Sequence, residues 1–282
     1  MKNQGLGSKS FLQFAILTYT LMLLSWGSMA VFQMTGISML PNAPQPSNFE
    51  FLLNMLGGLS PSIAGIIMVW RTEGRMGLRK LWRRAVGLNL GWRWYLVILI
   101  PCLASLSLIG VRVLSGGLIL NNQLLTQLLA FMGLSLGLFI SGPLTEEFGW
   151  RGFALDHLLA RWDYFRASLI LGLLWAFWHL PLYFIPYTIQ HRLGNPLFEF
   201  PVFALSLISQ SVIITWIYLG TRRSLWSAIL FHFAHNFSYT LLVTLTGGDK
   251  LYNLLFISVL YVVAVIISLN WNRRLSSEAV SI

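Results

Sequence analysis

The sequence predicts an all-α fold, a polytopic membrane helical bundle of about eight transmembrane helices with both termini cytoplasmic. Three observations carry that expectation. The 282-residue chain is 56% hydrophobic and only 10% charged, with a mean hydropathy of +0.69, whereas soluble domains carry about 25% charged residues. Eight segments have the roughly 20 mostly apolar residues that a bilayer crossing needs; they lie at about 11–34, 51–70, 94–114, 124–145, 167–186, 199–220, 225–246 and 251–270. With the N-terminus inside, all but three of the 19 Lys and Arg residues fall in cytoplasmic segments, the exceptions being Arg112, Arg192 and Lys250. That asymmetry is the bias that orients membrane helices.

The first segment follows Lys2 and Lys9 and superficially resembles a secretory signal, with Ser28-Met29-Ala30 as a cleavage site. From Phe11 to about Met34 it is longer than a signal h-region of about 7–15 residues, so it is expected as an uncleaved span one. After span two, residues 71–93 alternate basic and apolar side chains at helical spacing, with Trp82, Trp92 and Trp94 as interfacial anchors. This predicts an amphipathic helix on the inner leaflet, attracted to acidic lipid. The net charge of +10 therefore reads as lipid-facing and topological rather than nucleic-acid binding, because the cations cluster between spans. Span four is followed by a short mixed segment, 150–166, expected to continue the helix as a re-entrant or interfacial piece. Cys102 is the single cysteine, lies in an apolar run and forms no internal disulfide.

Polar groups gather in the inner halves of spans four, five and seven. Of nine acidic residues, Glu146 and Glu147 sit where span four ends, in Ser141-Gly-Pro-Leu-Thr-Glu-Glu-Phe-Gly-Trp-Arg151. A charge at that depth is costly and calls for a partner and a use. Glu147 and Arg151 are four apart and share a helix face, so Arg151 pairs with Glu147 while Glu146, about 100° around the helix, faces something else. Pro143 removes a backbone hydrogen bond and kinks the helix beside the acids. His179 lies in Leu173-Leu-Trp-Ala-Phe-Trp-His-Leu-Pro181, about 18 Å from the cytoplasmic end of its span, with Trp175 one turn before it to cover its ring. His232 and Asn236 project from one face of span seven, and His235 lies beside them. Taken singly, each has a plainer reading: interfacial anchors for the acids, a satisfied core histidine at 179, helix-bridging hydrogen bonds for His232 and Asn236. Their concentration on three spans favours proton transfer or water activation.

Glu146-Glu147-x-x-x-Arg151, then His179, then His232-x-x-x-Asn236 together resemble the CPBP family, the CAAX-protease and bacteriocin-processing membrane endopeptidases also called Abi. Its motifs are Glu-Glu-x-x-x-Arg, Phe-x-x-x-His and His-x-x-x-Asn or Asp. One departure stands out: the position four before His179 is Trp175 rather than Phe, an aromatic exchange expected to affect packing rather than chemistry. The resemblance divides the chain into spans one to three at 1–123 with the basic segment 71–93, a protease core at 124–245, and a C-terminal helix and tail at 246–282. It implies that Glu146 and His179 activate a water, that His232 and Asn236 stabilise the oxyanion, and that Glu147, Arg151, Trp175 and His235 support them. It leaves the metal open: Glu146, His179 and His232 supply three ligands for Zn²⁺ with an open fourth position, and a metal-free glutamate route uses the same residues.

The implied partners are membrane lipid and a peptide or protein substrate at the membrane, lipidated or leader-bearing. The implied location is a bacterial inner or plasma membrane with the site open to the cytoplasm. A proton-coupled transporter, or a non-catalytic immunity or binding protein, is the alternative that buried Glu and His residues also support. The lack of paired repeats weighs against a transporter.

Overall fold

In hydrocarbon every backbone N–H and C=O must find its partner within its own segment, so long apolar runs fold as helices. A computed structural model describes the backbone of residues 2–35, 48–118 and 122–280, and side chains for 9–35, 48–118 and 125–271. The side chains of Lys2, Arg273 and Arg274, counted above among the inner cations, lie outside that set. The described residues are almost entirely helical, with no strand among them. Among the described residues, seven helices are long and apolar enough to cross a membrane: Lys9–Thr35, Asn48–Val86, Leu125–Leu159, Tyr164–Phe184, Pro196–Gly220, Leu225–Thr246 and Lys250–Trp271. A pair, Trp92–Ile98 and Ile100–Leu114, bent by 44°, makes an eighth if taken as one span. Pro101 opens the second half of that pair, and its missing N–H accounts for the bend. The chain is an integral membrane protein of the expected class. Counting the bent pair as span three keeps the span numbers used above.

Two spans run past their expected ends. Span two continues to Val86, broken at Gly74, where φ 64° and ψ −154° suit only glycine. Beyond the break Gly77, Leu81 and Ala85 are buried while Arg75, Arg79, Lys80, Trp82 and Arg83 are exposed, so the stretch up to Val86 is helical with one buried and one basic face. Span four does not stop near residue 145 but continues to Leu159. It does so through two π-helical turns, Ile140–Leu144 and Trp150–Ala154, which flank Thr145–Gly149. Such turns insert an extra residue per loop of helix and often mark functional sites.

The chain packs as two compact units, each discontinuous in sequence: Met1–Arg83 with Thr145–Ser211, and Arg84–Leu144 with Val212–Ile282. In the first, Phe14 of span one packs edge-on against Trp150 (5.7 Å between ring centroids) and at a tilt against Phe153 (5.5 Å). The Tyr19 hydroxyl donates to the carbonyl of Leu174 at 2.7 Å. Span one is thus part of this unit's core. A Cβ on Gly172 would come within 2.8 Å of the Ile208 Cα, so spans five and six touch backbone to backbone. In the second unit Phe131, Leu241 and Leu245 form an apolar cluster, and Arg112 pairs with Asp249 at 3.2 Å.

Candidate active site

The acidic pair lies in the interior of a continuous helix, not at its end. Glu146 is 4% exposed, and Glu147 and Arg151 are fully buried. The π-turn at Ile140–Leu144 contains Pro143, whose absent N–H fits a widened turn immediately before the acids. Arg151 donates from Nη1 to Oε1 of Glu147 at 2.8 Å. This is the i,i+4 pair expected from the spacing, and pairing is what makes two charges tolerable at such burial.

Glu146 is engaged from span five. The indole N–H of Trp175 donates to its Oε2 at 2.5 Å. The guanidinium of Arg151 lies over the same indole, 4.5 Å from the ring centroid, a cation–π contact. Trp175 therefore touches both halves of the acidic motif. The exchange of Phe for Trp is a chemical one as well as a packing one, because a phenyl ring has no donor; the expectation that only packing is affected is corrected here.

His179 ends the regular part of span five, at the last residue of the helix Tyr164–His179. Its Nδ1 is 2.8 Å from the carbonyl oxygen of Trp175. A carbonyl only accepts, so the neutral ring carries its proton on Nδ1 and its lone pair on Nε2. Trp175 flanks the ring at 6.2 Å, Trp178 at 4.6 Å, Phe203 at 5.3 Å and Trp26 at 6.4 Å. Trp26 and Trp178 pack together at 4.5 Å. The Trp26 N–H reaches Oδ1 of Asn54 at 3.0 Å, and that of Trp178 reaches the Ser60 hydroxyl at 2.9 Å. Sequence reasoning missed Trp26, Asn54 and Ser60, because it followed the polar groups of spans four, five and seven. The one available signal was Asn54 within an apolar run.

The other predicted residues belong to the second unit. His232 and His235 are buried and Asn236 is half-buried on the helix Leu225–Thr246. Nδ1 of His235 lies 3.3 Å from Oδ1 of Asn236. The His235 ring stacks on Tyr239 (6.2 Å, 10°) and contacts Phe256 at 5.5 Å. With Nδ1–H as the donor, Oδ1 of Asn236 is occupied and its NH₂ is the pole left to donate. Glu146, Glu147, Arg151, Trp175 and His179 thus meet within the first unit, and His232, His235 and Asn236 share one helix of the second. Among the described residues there is no group of three or more His, Cys, Asp or Glu side chains that could hold a metal ion.

The groups of the first unit can hold a carboxylate by one oxygen and present an imidazole lone pair, and the helix of the second unit can offer amide donors. Residues 126–238 match the family described as Type II CAAX prenyl endopeptidase Rce1-like. A stretch of 98 residues is 41% identical to the CAAX prenyl protease 2 of Methanococcus maripaludis, covering 34% of this chain and 36% of that relative. The match thus spans about a third of the length of the curated protein. All eight residues singled out from the sequence lie inside the matched segment, so the similarity to the CAAX prenyl endopeptidases rests on the same stretch that carries them.

Proposed function

We propose that the chain is an intramembrane endopeptidase that cleaves a lipidated or otherwise membrane-associated peptide from the cytoplasmic side of the membrane. In this reading Glu146 takes a proton from a water whose oxygen attacks the scissile carbonyl carbon. His179, with its lone pair on Nε2, orients that water. His232 and Asn236 donate to the oxyanion, an effect worth about 2.7–4 kcal/mol per donor in comparable sites. The C–N bond then breaks, and the proton held by Glu146 passes to the leaving amine nitrogen. The products are a carboxylate and an amine, and no redox partner is needed. Glu147 and Arg151 keep the acidic segment folded.

The observation that carries this reading is a buried carboxylate, Glu146, held through one oxygen by Trp175 beside a neutralised Glu147–Arg151 pair. A purely structural pair of acids would have little reason to bury a second carboxylate next to the first. The name of the archaeal relative, a CAAX prenyl protease, supports a peptide with a prenylated cysteine as the first substrate to try. No step is routed through a metal.

The test is turnover of a quenched-fluorescence farnesylated peptide by purified protein in proteoliposomes. Glu146→Ala and His179→Ala should each lower kcat by at least about 100-fold, the scale of general acid–base catalysis. Wild-type turnover in both variants would refute the reading. Chelator treatment should leave turnover intact; a loss restored by Zn²⁺ would replace the glutamate route with a metal one.

A further inference from the structure

We infer that Trp175 is a positioning residue: its indole N–H holds Oε2 of Glu146, so that Oε1 is the atom that exchanges the proton with water and leaving amine. The inference rests on the protease reading and deepens it. An indole nitrogen donates and never accepts, so the contact has one sense. Trp175 and Glu146 are both buried and are 29 residues apart in sequence. The ring plane is itself fixed, because Arg151 covers its face at 4.5 Å while Glu147 anchors Arg151 at 2.8 Å. The backbone carbonyl of the same residue receives Nδ1 of His179 at 2.8 Å. Trp175 therefore orients both members of the water-activating pair, one through its side chain and one through its main chain. Losing only the side-chain donor should disturb Glu146 and leave the His179 contact in place.

A merely space-filling tryptophan makes a different prediction, and two readouts separate them. In protein labelled with ¹⁵N-tryptophan, the indole resonance of Trp175, assigned by its loss in Trp175→Phe, should move on Glu146→Gln. It should stay put on Glu73→Gln, a change at an exposed acid. In the farnesyl-peptide assay, Trp175→Phe should lower kcat about tenfold, the effect of about one charge-assisted hydrogen bond, with KM within about twofold. Replacing Trp175 by 3-benzothienylalanine, which keeps the ring shape and loses the N–H, should give the same loss. Trp70→Phe, at an exposed position, should change nothing. An unmoved resonance, or full turnover with the benzothienyl residue, overturns the inference. Full turnover in Glu146→Ala, or none in the wild type, would instead count against the protease reading, while the resonance still decides the hydrogen bond.

Discussion

Gly149 lies so close to Pro61 that a Cβ built on it would stand 2.1 Å from the Pro61 carbonyl oxygen. Reciprocally, a Cβ on Gly65 would meet the Gly149 Cα at 2.7 Å and the Phe148 carbonyl at 2.8 Å. Spans two and four therefore cross on two glycines, as small residues allow helices to do in membranes, and the crossing falls between Glu146 and Arg151. Backbone atoms cannot step aside as a side-chain tip can. Gly149→Ala should cost about 1–3 kcal/mol, as overpacking does, and should lower turnover by displacing the acids. Gly133→Ala, a change in the same span with open space around it, should be neutral or slightly stabilising. Thermal unfolding in detergent, followed beside peptide turnover, checks both.

The Glu147–Arg151 pair is fully buried, so its two halves should be far more costly to lose singly than together. Arg151→Met leaves a buried carboxylate beside Glu146 and should destabilise by about 3–5 kcal/mol. Glu147→Gln combined with Arg151→Met removes both charges and should recover much of that loss. A double-mutant cycle on the unfolding free energy measures the coupling. Additive losses would show that the two residues stabilise the span independently.

Much of this arrangement was legible in the chain because it depends on local spacing. Glu147 and Arg151 meet because i and i+4 share a face, and Pro143 lies in an altered turn because it has no N–H to give. The expected continuation of the helix beyond span four is present, but the span itself runs past the end placed near residue 145, for an electrostatic reason. A hydropathy window stops at two acids and an arginine, yet Arg151 pairs with Glu147, the Trp175 N–H meets Glu146, and the helix runs on to Leu159. Trp26 and Asn54 were not legible, since their contact joins two spans and depends on how Gly57 lets an indole lie against the helix. Nor does the exchange of Phe for Trp175 reveal by itself which acceptor the indole N–H would meet, because Glu146 lies on another span.

That indole seat makes its own prediction. A Cβ on Gly57 would fall 2.3 Å from Nε1 of Trp26, inside a rigid ring that also packs on Trp178. Gly57→Ala should therefore push Trp26 towards Trp178 and His179, costing about 1–3 kcal/mol and lowering kcat. Asn54→Ala should be milder, below about 1 kcal/mol, because the Trp26 N–H is also 3.1 Å from the Asn54 backbone carbonyl, which the substitution keeps. Unfolding midpoints for the two variants check the order; a more severe Asn54→Ala would mean that the side-chain amide, not the space over Gly57, fixes the indole.

The oxyanion role proposed for His232 and Asn236 predicts a particular pattern of kinetics. Donors aimed at charge that develops only in the transition state lower kcat when removed and leave KM nearly unchanged. His232→Ala and Asn236→Ala should each reduce kcat about 100-fold, near the lower end seen for single oxyanion donors. The double variant should lose less than the product, since residues acting on one charge are not additive. His235 adds a finer test. Its Nδ1 lies 3.3 Å from Oδ1 of Asn236, which leaves the NH₂ as the outward pole. His235→Phe keeps a ring against Tyr239 and Phe256 but loses this contact, and should lower kcat only several-fold, the effect of about one hydrogen bond. In the Asn236→Ala background the same change should have no further effect on kcat, because there is no amide left to orient. Steady-state measurements on the five variants would show it, and a raised KM at unchanged kcat would instead assign these residues to substrate binding.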